Sequence, residues 1–145
     1  MKAITLWQPW ATLVAIGAKR LETRSWSTDF RGPLVIHAAK KRDADLNEMC
    51  VSNPRFAYTL KDFRDSRGHF GFPLGCALCV VDLIDVIPLG SLAAPLFSRQ
   101  ERAFGDFSAG RYAWKLDDVR PFPEPIPWRG AQGLWTYDGP LPEVA

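Results

Sequence analysis

Trp10, Leu13, Val14 and Gly17 fall at i, i+3, i+4 and i+7, the spacing of one helical stripe, and Pro9 suits a first helical position. Gly17 followed by Lys19-Arg20 marks the end of that helix, with cations near the negative pole of its dipole. The period then changes. Leu21, Thr23 and Ser25 alternate with Glu22, Arg24 and Trp26, which predicts a strand over 20–26 with Glu22 and Arg24 on one face. Residues 2–7 read as a strand before the helix. Leu34–Ala38 reads as another after the turn-rich 27–33 segment, paired antiparallel with the strand over 20–26. Residues 42–49 suit a short helix, and 53–75 are irregular. Cys76–Ile87 is a long strand, 92–104 holds a helical turn or two, and 111–119 and 133–137 close the sheet. Pro121–Pro127 between them is expected as a rigid, extended crossing. The sum is a mainly β domain with short helices, a small and mostly antiparallel β-barrel.

At 145 residues the chain is most simply one domain with room for a core, and its 47% hydrophobic content argues for a folded globule. Six tryptophans are many for this length, and Trp serves binding surfaces as well as cores. Residues 1–75 carry 12 Lys+Arg against 7 Asp+Glu and residues 76–145 carry 6 against 9, so a near-neutral chain has a basic first half. Such a half attracts phosphate-rich partners if the fold keeps it on one face. Cys50, Cys76 and Cys79 make no disulfide framework, which fits a cytoplasmic, reducing setting. Cys76 and Cys79 have redox spacing, but within a strand that offset puts them on opposite faces as packed thiols. Lys2 with the apolar 11–18 run imitates a secretory signal, which Gln8-Pro9 interrupts. No apolar run approaches a membrane span, and His37 and His69 lack the company a metal site needs; no cofactor is implied.

Lys19, Glu22 and Arg24 crowd three charges at the helix-to-strand junction, and buried charges demand pairing or use. Facing a cleft, Glu22 activates a water while Lys19 or Arg24 stabilises a developing oxyanion; otherwise the three form a salt bridge that closes the barrel. For nucleic acid, Trp10, Trp26 and Tyr112 offer stacking faces and Lys19, Arg24 and Arg31 offer phosphate contacts. Gln8 presents both a donor and an acceptor to a base edge. Residues 42–75, with Arg55, Phe56, Tyr58, Lys61, Phe63, Arg64, Arg67 and Phe70 interleaved, are either an insert that contacts RNA or a surface segment with its Phe rings tucked inward.

Trp7-Gln-Pro-Trp10, Gly17-x-Lys19-x-x-Glu22-x-Arg24 and Arg31-Gly-Pro-Leu-x-Ile-His37, in that order, resemble the ASCH domain, a relative of the PUA domain. Gly110-Arg-Tyr-Ala-Trp114 and Gly133-Leu-Trp135 fit its bacterial and phage forms, so the resemblance spans nearly the whole chain. It implies a PUA-like barrel with a cleft lined by the first helix and neighbouring strands, and RNA or a modified nucleoside as partner. Some relatives are amidohydrolases that remove acyl groups from N4 of cytidine, and others are ribonucleases. A non-catalytic regulatory module is the remaining expectation. In the amidohydrolase branch the motif supplies a Lys, a Thr three residues later and a distant Glu. Lys19 matches the Lys, Glu22 occupies the Thr position with Thr23 beside it, and Glu101 is the candidate for the distant Glu.

Overall fold

The computed structural model describes residues 1–142, with the side chain of Ala94 left aside. Its frame is one six-stranded sheet. Strands β1 (Lys2–Leu6), β2 (Leu21–Arg24), β3 (Gly32–Ala38), β4 (Cys76–Pro88), β5 (Tyr112–Pro127) and β6 (Trp135–Thr136) lie in the order β2-β5-β4-β3-β1-β6. Helix α1 (Trp10–Ala15) follows β1, and α2 (Leu46–Ser52) with α3 (Pro54–Thr59) fill the connection between β3 and β4. Helix α4 (Arg99–Ala103) precedes β5.

The expected pairing of β2 with β3 is not the observed one. Strand β2 runs to the far edge of the sheet and pairs antiparallel with β5, while β3 pairs antiparallel with β4 and parallel with β1. A parallel neighbour needs a crossover, and α1 with β2 supplies it. The sheet nonetheless curls toward closure. The Leu6 carbonyl takes the Ala39 N–H on the β3 side, so by strand alternation the Thr5 carbonyl points the other way, past the end of the two-residue β6. Arg24 Nη2, on the opposite edge strand, donates to that carbonyl at 2.8 Å.

Two apolar cores follow from the two sides of α1. Ala11 and Val14 pack on the sheet with Ile4, Leu34, Ile36, Val81, Leu83 and the buried Trp114, whereas Leu13 points into a second core of Leu46, Cys50, Phe56, Leu60, Phe70 and Phe104. Phe56 and Phe70 of the 42–75 segment are thus tucked inward, and that segment is more regular than its sequence suggested: α2 starts at Leu46 rather than 42, and α3 follows at once. Asn53 explains the second helix, since its side chain accepts from the Arg55 N–H and Pro54 fills the first turn. The Pro-rich 121–127 stretch is not a free crossing either; it extends β5 and stays in register with β4 at Pro121 and Pro127. Its prolines are tolerated because the β4–β5 ladder is broken there by register shifts.

One of those shifts also corrects the cysteine reading. Ile36 stands opposite Cys79 but His37 opposite Ala77, so Leu78 is an extra, bulged residue. The bulge resets the alternation, and Cys76 and Cys79 end in the same core. Both are free and buried, and burial pushes the Cys79 thiol up to about 12, so it is a packing group.

His37 fixes the turn after β5. Its Nε2 lies 2.7 Å from the Trp128 carbonyl and its Nδ1 3.2 Å from Thr5 Oγ1. Burial lowers its pKa below the ordinary 6.5, only partly offset by the Trp128 carbonyl. Below that ordinary value the unfolded chain takes up a proton that the folded chain resists, so stability falls as pH drops through this window. Urea denaturation of wild type and His37→Gln at about pH 7.5 and about pH 5 is expected to show the steeper loss in wild type. Equal losses would contradict a buried neutral imidazole.

Candidate functional site

Lys19 sets the geometry. Gly17, with φ of +80°, ends α1 and turns the chain so that Lys19 enters beneath β2. Lys19 is 1% exposed. Its Nζ donates to the carbonyls of Leu21 at 2.5 Å and Phe104 at 2.9 Å, and sits 3.6 Å from Glu22 Oε1. Burial pushes its pKa down, opposed by Glu22 and Glu101. Glu22 Oε2 lies 3.5 Å from Arg24 Nε, so Glu22 is flanked by two cations, as its shared strand face with Arg24 predicted. Arg24 Nε is buried with no hydrogen-bond partner among the described residues, and burial lowers the Arg24 pKa against the pull of Glu22.

Above Glu22 and Arg24 opens a cleft of about 700 Å³, within the range of small-molecule sites. Trp7, Trp10 and Trp26 give it aromatic walls, with Phe56 and Met49 from the α2–α3 segment. The Trp26 ring stands edge-on to Trp114 at 4.9 Å, and Trp10 edge-on to Phe56 at 6.5 Å, so both are held by the cores behind them. Trp7 is 43% exposed, a large apolar ring left to water at the mouth. The charged groups are Glu22, Arg24, Asp106 and Arg111, two of each sign.

Thr23 points to the other face of β2, as expected, yet still borders the cleft. Because β2 is an edge strand, the 104–107 loop wraps around it, and the Thr23 hydroxyl accepts from the Asp106 N–H at 3.2 Å. Gly105 lies against this junction: a Cβ there would stand 3.4 Å from Lys19 Nζ and 3.5 Å from Thr23 Oγ1.

Several residues singled out in the sequence lie elsewhere. Gln8 is buried, its Oε1 accepting from the Thr12 N–H and its Nε2 donating to the Pro73 carbonyl, so it anchors α1. Arg31 is exposed and turns back on the carbonyls of Thr28 and Phe30. Tyr112 faces Arg24 across the β2–β5 ladder but packs against the sheet core outside the cleft lining. Lys19 supports the cleft floor from beneath and does not line it. Glu101 accepts from the N–H groups of Arg20 and Leu21, and Gln100 Nε2 donates to the Ala18 carbonyl, so α4 clamps the α1–β2 turn.

Arg111, Asp106 and Trp7 were missed. Arg111 donates from Nη2 to the Thr23 carbonyl and from Nε to the Asp106 carbonyl, which fixes the loop against β2. Its signal was the Gly110-Arg-Tyr motif, in which Tyr112 drew the attention; Trp7 opens the Trp7-Gln-Pro-Trp10 motif.

The family profile described as "ASCH domain" matches residues 4–122. The chain is 30% identical over 142 residues to Activating signal cointegrator 1 of Mus musculus and equally to that of Homo sapiens, covering 98% of this chain. It spans only 23% of the length of those relatives. Among solved structures, ASCH from Zymomonas mobilis superposes with a TM-score of 0.56 at 17% identity, over 94% of this chain and 87% of that one. A mutant form of that Zymomonas mobilis protein gives 0.55 at 16% identity, over 94% and 90%.

Lys19→Met would leave two carbonyls without their donor and Glu22 with a single cation. Such a break in a buried ionic network costs about 3–5 kcal/mol, read as a lower urea midpoint with unchanged m-value. A loss below about 1 kcal/mol would mean that the carbonyls find other donors.

Proposed function

The chain belongs to the ASCH domain family, and from that premise we propose that its cleft receives a single base, plain or modified, of an RNA. The observation that carries this reading is the composition of the cleft: three tryptophans around a floor whose charges balance. Aromatic faces stack on any base and tolerate sequence, whereas paired charges with fixed donors and acceptors suit the edge of a neutral heterocycle. Arg24 and Arg111 donate, Glu22 and Asp106 accept, and each is held by backbone or by a partner, so little order is lost on binding.

A second reading rests on Glu22. A carboxylate between Lys19 and Arg24, open to the cleft, has the placement of a general base for hydrolysis of an N4-acylated cytidine. Glu22 would take a proton from water, and Arg24 or Arg111 would hold the oxyanion that forms as water adds to the acyl carbon. Collapse of that oxyanion would break the acyl C–N4 bond as Glu22 returns the proton to N4, releasing cytidine and the carboxylic acid. Lys19, enclosed beneath the floor, acts in either reading as a positioning residue for Glu22.

Fluorescence anisotropy with a labelled single-stranded RNA of about eight nucleotides tests the first reading. Trp7→Ala and Trp26→Ala are each expected to weaken binding about 10-fold, within the range for one lost base stack. Trp7 is the cleaner variant, since its ring supports no core cluster. Affinity untouched by both changes would contradict a stacking cleft. N4-acetylcytidine incubated with wild type and Glu22→Gln separates the second reading. Deacetylation lost with Glu22 favours hydrolysis, and an unaltered substrate favours binding alone.

A further inference from the structure

The charge balance of the cleft leaves the phosphates of an RNA unaccounted for. Two cations and two carboxylates line it, while Lys19 and Arg31, the other expected phosphate ligands, lie beneath it and away from it. A second cavity, of about 990 Å³, opens on the other side of Thr5, and Thr5 lines both. Here the charge is one-sided: Lys40, Lys41 and Arg129 line it, with no Asp or Glu among the lining residues. All three cations are exposed, and none of them pairs with a carboxylate among the described residues.

The wall between the cavities is built, not incidental. The Thr5 carbonyl is held on the cleft side by Arg24, while the Thr5 hydroxyl meets His37 Nδ1 at 3.2 Å and accepts from Trp135 Nε1 at 3.0 Å on the other. Gly130 presses into the same place. A Cβ there would stand 2.6 Å from both Thr5 Oγ1 and His37 Cε1, so only glycine allows the 128–132 turn to sit this close. With the Trp128 carbonyl on His37 Nε2, the turn carrying Arg129 is fixed against β1 and β3. Lys40 and Lys41 follow the end of β3 after one residue, Ala39, on the same rim.

We propose that the Lys40–Lys41–Arg129 cavity is a backbone subsite that holds the phosphates of a single-stranded RNA whose base occupies the cleft across Thr5. This rests on the cleft reading above and names its ligand class: a strand rather than a free nucleoside. A single strand is required because a base must leave its stack to enter the cleft, and the same strand then passes the exposed Trp7 ring at the rim.

The test compares wild type, Trp7→Ala and the triple variant Lys40→Ala/Lys41→Ala/Arg129→Ala for binding to the labelled single-stranded RNA, across about 50 to about 200 mM salt. All three substituted side chains of the triple variant are exposed, and thermal denaturation checks that its fold is retained. The triple variant is expected to bind at least about 10-fold more weakly at low salt and to lose about 2 from the slope of log K against log salt. That slope change corresponds to three phosphate contacts on a single strand. Trp7→Ala is expected to weaken binding with the slope retained. If Trp7→Ala weakens binding but the triple variant matches wild type in affinity and slope, the subsite is overturned and the cleft reading stands. If the triple variant weakens binding and Trp7→Ala and Trp26→Ala do not, the cleft reading falls, and with it the track across Thr5. Equal affinity of wild type for a duplex of the same length would also overturn it, because a duplex keeps its bases from the cleft.

Discussion

The buried Lys19 ammonium is the interaction on which the site depends. An ammonium nine-tenths or more buried is costly unless surrounded by acceptors, and here it has two carbonyls and a carboxylate. The acceptors belong to two separate pieces of the molecule: Leu21 and Glu22 of β2, and Phe104 in the loop after α4. One charge therefore joins the end of α1, an edge strand and a distant loop, and sets the height of Glu22. Glu101 reinforces the same joint from outside by taking the Arg20 and Leu21 N–H groups.

From that joint the rest of the cleft follows. With Glu22 fixed, Arg24 lies beside it on the same strand face and reaches across to the Thr5 carbonyl, so the polar floor and the curling of the sheet are one construction. The loop held by Lys19 through Phe104 carries Asp106, which Arg111 and Thr23 then pin. The aromatic walls come from the two cores: Trp26 leans on Trp114 of the sheet core, and Trp10 on Phe56 of the second core. The α2–α3 segment, least regular in sequence, is what turns an open sheet edge into a walled cleft.

Helix α1 and strands β1 to β3 were legible because each is short and periodic, α1 is closed by Gly17 and β3 opens on Gly32-Pro33, and Glu22 and Arg24 share a face as alternation requires. What alternation could not carry was anything non-local. Pairing of β1 with β3 rather than β2 with β3 depends on β2 crossing to the far edge, which no local pattern encodes. The Leu78 bulge brought Cys76 and Cys79 into one core, which local alternation does not encode. Among the candidate residues, Glu22, Arg24, Trp10 and Trp26 line one cleft. Gln8, Arg31 and Tyr112 are polar or aromatic residues near the motif whose partners turned out to be backbone or core. Lys19 lies beneath the cleft floor, and its burial is a tertiary fact set by Phe104, far along the chain.

An RNA base received by the Trp-walled cleft would sit against its indole rings. The six tryptophan indole N–H resonances, followed by nuclear magnetic resonance as a short single-stranded RNA is added, test it most directly, because three of the six rings line the cleft. The largest shifts are expected at Trp7, Trp10 and Trp26, with the indole N–H of Trp114, bonded to the Trp26 carbonyl, moving less. Spectra unchanged at Trp7, Trp10 and Trp26 while the RNA binds would contradict it.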